Sequence, residues 1–200
     1  MTNNKQINYV IIGTVAVLMI MAIGVYFIKE GSSGTYRYTN GNSVFDVNII
    51  SESETKIPIY IKDQSYIVTL RYDPASLEDI PLYGEPDRRL EQDDLVVITI
   101  DPEQNLTGKT IVAVYELEKF INNQFFYNLP VYTAVTSEYK DSVVVNCDHA
   151  SNSQTVIMVT LGEETQVYTN NYCIVVMGTD EDEIMRAADR LAYNLLGIME

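Results

Sequence analysis

Cys147, Cys173 and His149 are the residues of this chain whose types are best suited to chemistry. The sequence holds two cysteines and one histidine. Cys147 and His149 stand together in Asn146-Cys147-Asp148-His149. A catalytic Cys–His pair needs side chains that face each other across a fold, not near neighbours on one loop. A structural zinc site needs four ligands, commonly Cys and His. The grouping therefore reads as a polar loop at a strand end, with no metal site. An even cysteine count in an extracytoplasmic domain points to a Cys147–Cys173 disulfide. Such a bridge closes a loop of roughly 26 residues and contributes ~3–4 kcal/mol in the chain-entropy model. Two inert buried thiols are the alternative. The bridge also carries a geometric condition, because Cys147 is expected to end a strand and Cys173 to begin one. Parallel neighbours would then hold the sulfurs at opposite sheet edges, whereas antiparallel strands or a loop returning from Cys147 would bring them together. No Cys-x-x-Cys occurs.

The acidic groupings are the next candidates. Asp180-Glu181-Asp182-Glu183 lacks the alternating ligands and central glycine of a calcium loop. Its place before an apolar helical stripe makes it a helix start, with the acids opposing the positive end of the dipole. Glu78-Asp79 with Glu85 and Asp87, or Asp93-Asp94, can be drawn as a carboxylate pair for glycoside chemistry. Solvated loop acids are the plainer reading. No Gly-x-Ser-x-Gly, phosphate loop or dinucleotide fingerprint is present, so no catalytic residue and no cofactor are assigned. Asn105-Leu106-Thr107 is an N-glycosylation sequon in an expected loop, with Asn105 as the acceptor, and it agrees with an outside location.

Alternation and helical spacing give the elements that position these groups. Val44 to Ile50 reads as a strand, and Ile57–Ile61 with Tyr66–Arg71 as a hairpin. Asp73-Pro74 opens a short helical turn, and Ile80 to Asp94 is loop-like. Leu95 to Ile100 is almost unbroken in apolar residues, as in a strand buried on both faces. The spacing predicts a helix over 110–123 and a strand over 131–136, a β-α-β unit with a parallel pair. Strands are expected over 142–147, 155–161, 166–168 and 173–177. The last helix follows, capped by Thr179, with Ile184, Ala187, Ala188, Leu191 and Leu195 in one stripe. An Asp182–Arg186 pair is expected on its exposed side. Gly197 ends this helix, and Ile198-Met199 tuck against the core. The fold class is α/β, a mixed β-sheet covered by at least two helices.

Ahead of this domain, Ile7 to Ile28 carries no charged side chain. As a helix of roughly 22 residues it spans a bilayer core of ~30 Å. It is longer than a signal-peptide core and ends in bulky Tyr26-Phe27-Ile28, so it reads as a retained transmembrane helix. The organisation is thus a cytoplasmic tail at 1–6, a membrane span at 7–28, a tether at 29–42 and one domain at 43–200. Lys5 and Lys29 nearly balance across the span, and the short tail before a long domain favours N-terminus inside, C-terminal domain outside. The chain has a formal net charge of −15, and every Asp and Glu lies at or after Glu30. That balance excludes nucleic acid as a partner and disfavours adsorption to an anionic lipid surface. Envelope or surface proteins, or glycans, fit it.

Two stretches, Leu70-Arg71-Tyr72-Asp73-Pro74 with Leu77-Glu78-Asp79-Ile80-Pro81, and Asn146-Cys147-Asp148 with the run from Cys173 to Met199, resemble small single-span archaeal membrane proteins of uncharacterised role. The strand–Gly–helix ending also resembles the terminal unit of archaeal S-layer and other cell-surface proteins. It departs from S-layer proteins by having Val145-Asn146-Cys147 where they carry a Gly-Gly-Pro type of strand end. The resemblance implies an envelope setting and supplies no catalytic residues. The expected role is a membrane-anchored envelope protein with a binding or scaffolding domain and no enzymatic activity. A minor pilin-like filament subunit is the alternative, and an envelope hydrolase or redox enzyme a further one.

Overall fold

The computed structural model describes residues 33–61 and 63–200. The tail at 1–6, the apolar run at 7–28 and the first part of the tether lie outside the described residues. Among the described residues, no helix is long and apolar enough to cross a membrane.

The expected mixed sheet is present, and a second sheet accompanies it. Strands β1 (Gly34–Asn40), β2 (Ser43–Ser51), β3 (Glu54–Ile61) and β4 (Gln64–Leu70) form an antiparallel meander in chain order. The tether and polar lead-in expected up to residue 42 are therefore corrected. The domain starts at Gly34, and Asn40-Gly41 is the hairpin turn between two strands, with Gly41 at φ +55°. Tyr36 and Tyr38 alternate with Thr35, Arg37 and Thr39, a period-two pattern diluted by polar residues because only one face is covered. Val47, Ile57 and Val68 on the inner face are fully buried.

The six-stranded sheet has the order β5-β9-β10-β8-β6-β7. Its strands are β5 (Leu82–Tyr83), β6 (Leu95–Ile100), β7 (Val131–Val135), β8 (Gln154–Leu161), β9 (Gln166–Asn170) and β10 (Cys173–Gly178). β6, β7, β8 and β10 run parallel, and β9 is antiparallel to β10. Central β6 buries Val96 to Thr99, as its unbroken apolar run predicts. The helices are α1 (Pro86–Leu90), α2 (Gly108–Ile121) and α3 (Glu181–Leu195). α1 and β5 lie in the stretch 80–94 expected to be loop.

α3 carries more than its expected stripe. Ile184, Ala187, Ala188, Leu191 and Leu195 are buried, and so are Met185, Asp189, Arg190, Ala192, Tyr193 and Asn194. A helix buried on nearly every side needs cover on two. One continuous core indeed joins Val47, Ile57 and Val68 of the meander to α2, α3 and the mixed sheet. Its cap is Asp180, not Thr179, since the Asp180 side chain accepts from Glu183 N. The expected Asp182–Arg186 pair does not form. Asp182 meets Lys109 of α2 at 2.6 Å, and Arg186 meets Glu183 at 3.0 Å and Asp79 at 2.7 Å. Asp182 is taken by a tertiary partner, and Arg186 by one tertiary and one local partner, since two elements packed on α3 bring Lys109 and Asp79 within ion-pair reach. Gly197 closes the helix at φ +68°, and Ile198 and Met199 are buried as expected.

The other face of the mixed sheet is crossed by residues 136–151. Val145, Cys147 and Ala150 pack on Val156, Cys173 and Val175. The strand expected over 142–147 is absent, and only Val144 bridges to Val135. Residues 143–145 join the β7 edge only at Val135, and from Val145 the chain packs over the sheet face, so no continuous strand forms.

Gly178 sits where β10 meets α3. A Cβ there would overlap the α3 backbone at Glu183 and Ile184. Overpacking against backbone leaves no flexible side chain to yield, so Gly178→Ala should cost ~3 kcal/mol or more. Urea unfolding of the variant would show a lowered midpoint with an unchanged slope.

Candidate functional site

In open α/β sheets, ligands gather beyond the carboxyl ends of the parallel strands. Here β6 and β10 end beside the starts of α2 and α3. After β6, Asp101 accepts from Glu103 N at 3.0 Å and Asn105 takes a left-handed turn at φ 52°. Thr107 then caps α2. A cleft of about 570 Å³ opens here, lined by Asn105, Thr107, Lys109, Asp180, Glu181 and Asp182 among others. Its anion position is filled by the chain itself. Glu181 Oε2 accepts from Thr107 N (2.9 Å), Thr107 Oγ1 (3.0 Å), Thr110 N (3.2 Å) and Thr110 Oγ1 (2.8 Å). Desolvation opposes ionisation, but the hydrogen bonds from Thr110 and Thr107 outweigh it and hold the carboxyl below its usual range. The acidic run is thus a joint between two helices, with Glu181 on the positive end of α2. The sequon residue Asn105 is exposed on this rim, and its Thr107 hydroxyl serves as the helix cap.

Behind this edge lies a buried polar cluster that sequence reading missed. Asp189 is 1 % exposed, and its Oδ2 accepts from Arg71 N at 3.0 Å and Tyr72 N at 2.9 Å. Its Oδ1 has no partner. Burial is the main cause that pushes its pKa up to about 7, with Glu116 adding to the effect and the two backbone donors opposing it. Arg71 Nε approaches Glu116 at 3.4 Å, and burial raises Glu116 as well. Tyr193 donates to Tyr72 O at 2.7 Å, and burial pushes its phenol up. A cleft of about 400 Å³ beside Arg71 and Tyr72 also touches Lys109 and Asp182. Asp189-Arg190 falls off the apolar stripe of α3, where a charged pair reads as solvated, so the pattern gave no signal for it.

The cysteine expectation resolves in favour of the bridge. Cys147 and Cys173 form a disulfide with Cα atoms 5.3 Å apart. Cys147 begins a 3-10 turn (Cys147–His149) that returns toward the start of β8, so the geometric condition is met by a loop. The turn closes on itself, since Asn146 caps it and Asn146 N donates to His149 Nδ1 at 3.2 Å. Both sulfurs are consumed, which leaves His149 no thiol to activate. Three of the six loop carboxylates drawn as acid–base pairs are tied to separate arginines. Asp79 pairs with Arg186, Glu85 with Arg88 at 2.7 Å, and Asp93 with Arg89. Arg89 is 9 % exposed, also donates to Ser151 O at 2.6 Å, and stacks 4.8 Å from the Tyr172 ring. Among the described residues, no group of three or more His, Cys, Asp or Glu is placed to hold a metal ion.

What is left unengaged is apolar surface. A groove of about 510 Å³ is lined by Val44, Tyr60, Phe125, Phe126 and Leu196 among others. A second, of about 420 Å³, lies between α2 and β7. Such surfaces recognise partners by shape and burial. No protein-family model, no curated protein and no solved structure matches the chain.

Proposed function

We propose that the protein is a single-span membrane protein of the cell envelope whose acidic C-terminal domain lies outside and binds or scaffolds envelope components, proteins or glycans. The carrying observation is the Cys147–Cys173 disulfide. Structural disulfides persist in oxidising compartments and are rare in the reducing cytosol. The uncharged run from Ile7 to Ile28 ends a few residues before β1 begins at Gly34, so a span there would hold the domain close to the membrane. A binding role rather than a catalytic one is supported by the site chemistry, in which both thiols and the carboxylates of Asp79, Glu85 and Asp93 are already partnered while an apolar groove beside α2 is open. The likeness of the Cys173–Met199 unit to archaeal cell-surface proteins points to the same setting.

Protease added to intact cells should remove the domain without lysis. Thiol alkylation of the denatured, unreduced protein should label neither cysteine, and reduction should expose both. A domain protected in intact cells, or two thiols free without reductant, would overturn the outside placement.

A further inference from the structure

We propose that the open edge of β7, with the groove beside α2, binds an extended peptide strand whose groove-facing side chains, every second residue, are apolar and include one base. This deepens the binding-domain reading by giving it a site and a partner chemistry, and it does not depend on where the membrane lies.

β7 is the last strand of its sheet. Val96 N donates to Pro130 O and Thr136 N to Ile100 O, each at 3.0 Å, so residues 130 and 136 turn their peptide groups toward β6. Residues between them alternate in direction along the strand. Val135 accordingly turns outward, where it donates to Val143 O (3.0 Å) and accepts from Val145 N (2.9 Å). Val131 and Thr133 share that outward phase, and no described strand lies beyond them. Protected edges usually carry a lysine, a proline within the strand, or a bulge. Val131-Tyr132-Thr133-Ala134-Val135 has none of these, and its register with β6 is unbroken. The 143–145 segment already adds to this edge at one end, and the rest is free to continue the pairing.

The groove next to the edge states what the added strand should carry. It is lined by Ile98, Ile111, Val114, Tyr115 and Val143. Ile111 and Tyr115 are 54 % and 64 % exposed on a helix face where a solvated helix would be polar, and Val143 beside them is 68 % exposed. Ile111, Tyr115 and Glu118 follow one another along one side of α2 at four- and three-residue spacing. Glu118 is the one acid or base lining the groove, and among the described residues it has no ion pair. A strand paired to Val131 and Thr133 sends alternate side chains to one face, where apolar ones meet Ile111 and Tyr115 and a basic one meets Glu118. A second copy of the chain is opposed by the net charge of −15 carried by both. Strand addition of this kind draws affinity from main-chain bonds and specificity from the alternate pockets.

The test uses the full chain in detergent micelles and a fluorescent, acetylated Thr-Val-Thr-Val-Thr-Lys-Thr peptide, whose valines and lysine share one face, with its glutamate counterpart as comparison. The lysine peptide should bind saturably, the glutamate peptide should not, and amide exchange at Val131 and Thr133 should slow on binding. Thr133→Pro removes an N–H that no internal bond uses, so it should leave the melting curve unchanged and weaken binding about tenfold or more. Glu118→Lys should weaken it similarly, while Asp46→Lys on the distant meander should not. Equal binding of both peptides, indifference to Thr133→Pro and Glu118→Lys, or no binding up to about 1 mM would overturn the proposal. So would a dimer of the chain that Thr133→Pro dissociates, since the occupant would then be a second copy. Failure of the protease experiment moves the domain across the membrane and leaves this binding untouched, so the two readings fail separately.

Discussion

Asp189→Asn is expected to stabilise the domain at neutral and alkaline pH and to give no gain in acid. Asp189 keeps its proton up to about 7 in the fold, because burial disfavours the carboxylate, against its ordinary 3.8. The folded chain therefore binds more protons than the unfolded chain between about pH 4 and pH 7. Stability from this group is fully present below the unfolded pKa, is lost as pH rises through the folded pKa, and stays lost above it. A displacement of about three pKa units corresponds to roughly 4 kcal/mol. Asparagine keeps an oxygen for Arg71 N and Tyr72 N and removes the ionisation. Its amide nitrogen takes the place of the unpartnered Oδ1, which takes back about 1–3 kcal/mol if it finds no acceptor. The net expectation is a gain of roughly 1–3 kcal/mol near pH 8. Urea titrations across the pH range read it directly. Glu116 and Asp93, both pushed up mainly by burial, should leave a smaller slope of the same sign in the variant. Parallel profiles for the two proteins between about pH 4 and 7 would show that Asp189 ionises freely.

Reduction of the Cys147–Cys173 bridge, or its replacement by Cys147→Ala with Cys173→Ala, should be the largest single loss. With a sequence separation of 26, the chain-entropy model gives ~3.5 kcal/mol. For a domain of this size that is a fall in Tm of roughly 10 °C. The loss should be concentrated where the bridge acts. Cys147 anchors the 136–151 segment onto β10 through Cys173, which is 1 % exposed. Hydrogen exchange should therefore quicken first at Val145 N and Ala150 N, ahead of the β8–β10 ladder. Uniform acceleration across the domain would mean that the bridge stabilises the whole fold and not this segment.

Local pattern carried much of the architecture. The apolar run of β6, the β6-α2-β7 unit with its parallel pair, the hairpin of β3 and β4, and the Gly197 stop were readable because each depends on neighbours in sequence. β1 was not, since Thr35, Arg37 and Thr39 outnumber the two tyrosines that face inward. The 142–147 segment misled for the opposite reason. Val143, Val144 and Val145 have the composition of a strand but pair only with Val135 before the chain is drawn over the sheet face toward the disulfide. The cysteine pair was legible as residues, while its geometry required knowing that the chain turns back at Cys147. Asp189 falls opposite the apolar stripe of its helix and so read as solvated, while its buried environment comes from the end of β4, α2 and the inner face of the meander.

The sequence by itself determined the charge of −15, with all its acids at or after Glu30, the available pair of thiols, and the alternation of strand and helix in the second half. These are properties of composition and short-range period, so no folding is needed to read them. Only the tertiary structure decided that α3 would be covered on two sides, that Asp182 would leave Arg186 for Lys109, and that Glu181 would occupy the start of α2. It also decided that Val131 and Thr133 would face outward beside an apolar groove. Each of these depends on which distant segment arrives at a surface, and desolvation and edge pairing are set by that arrival and not by the residue alone.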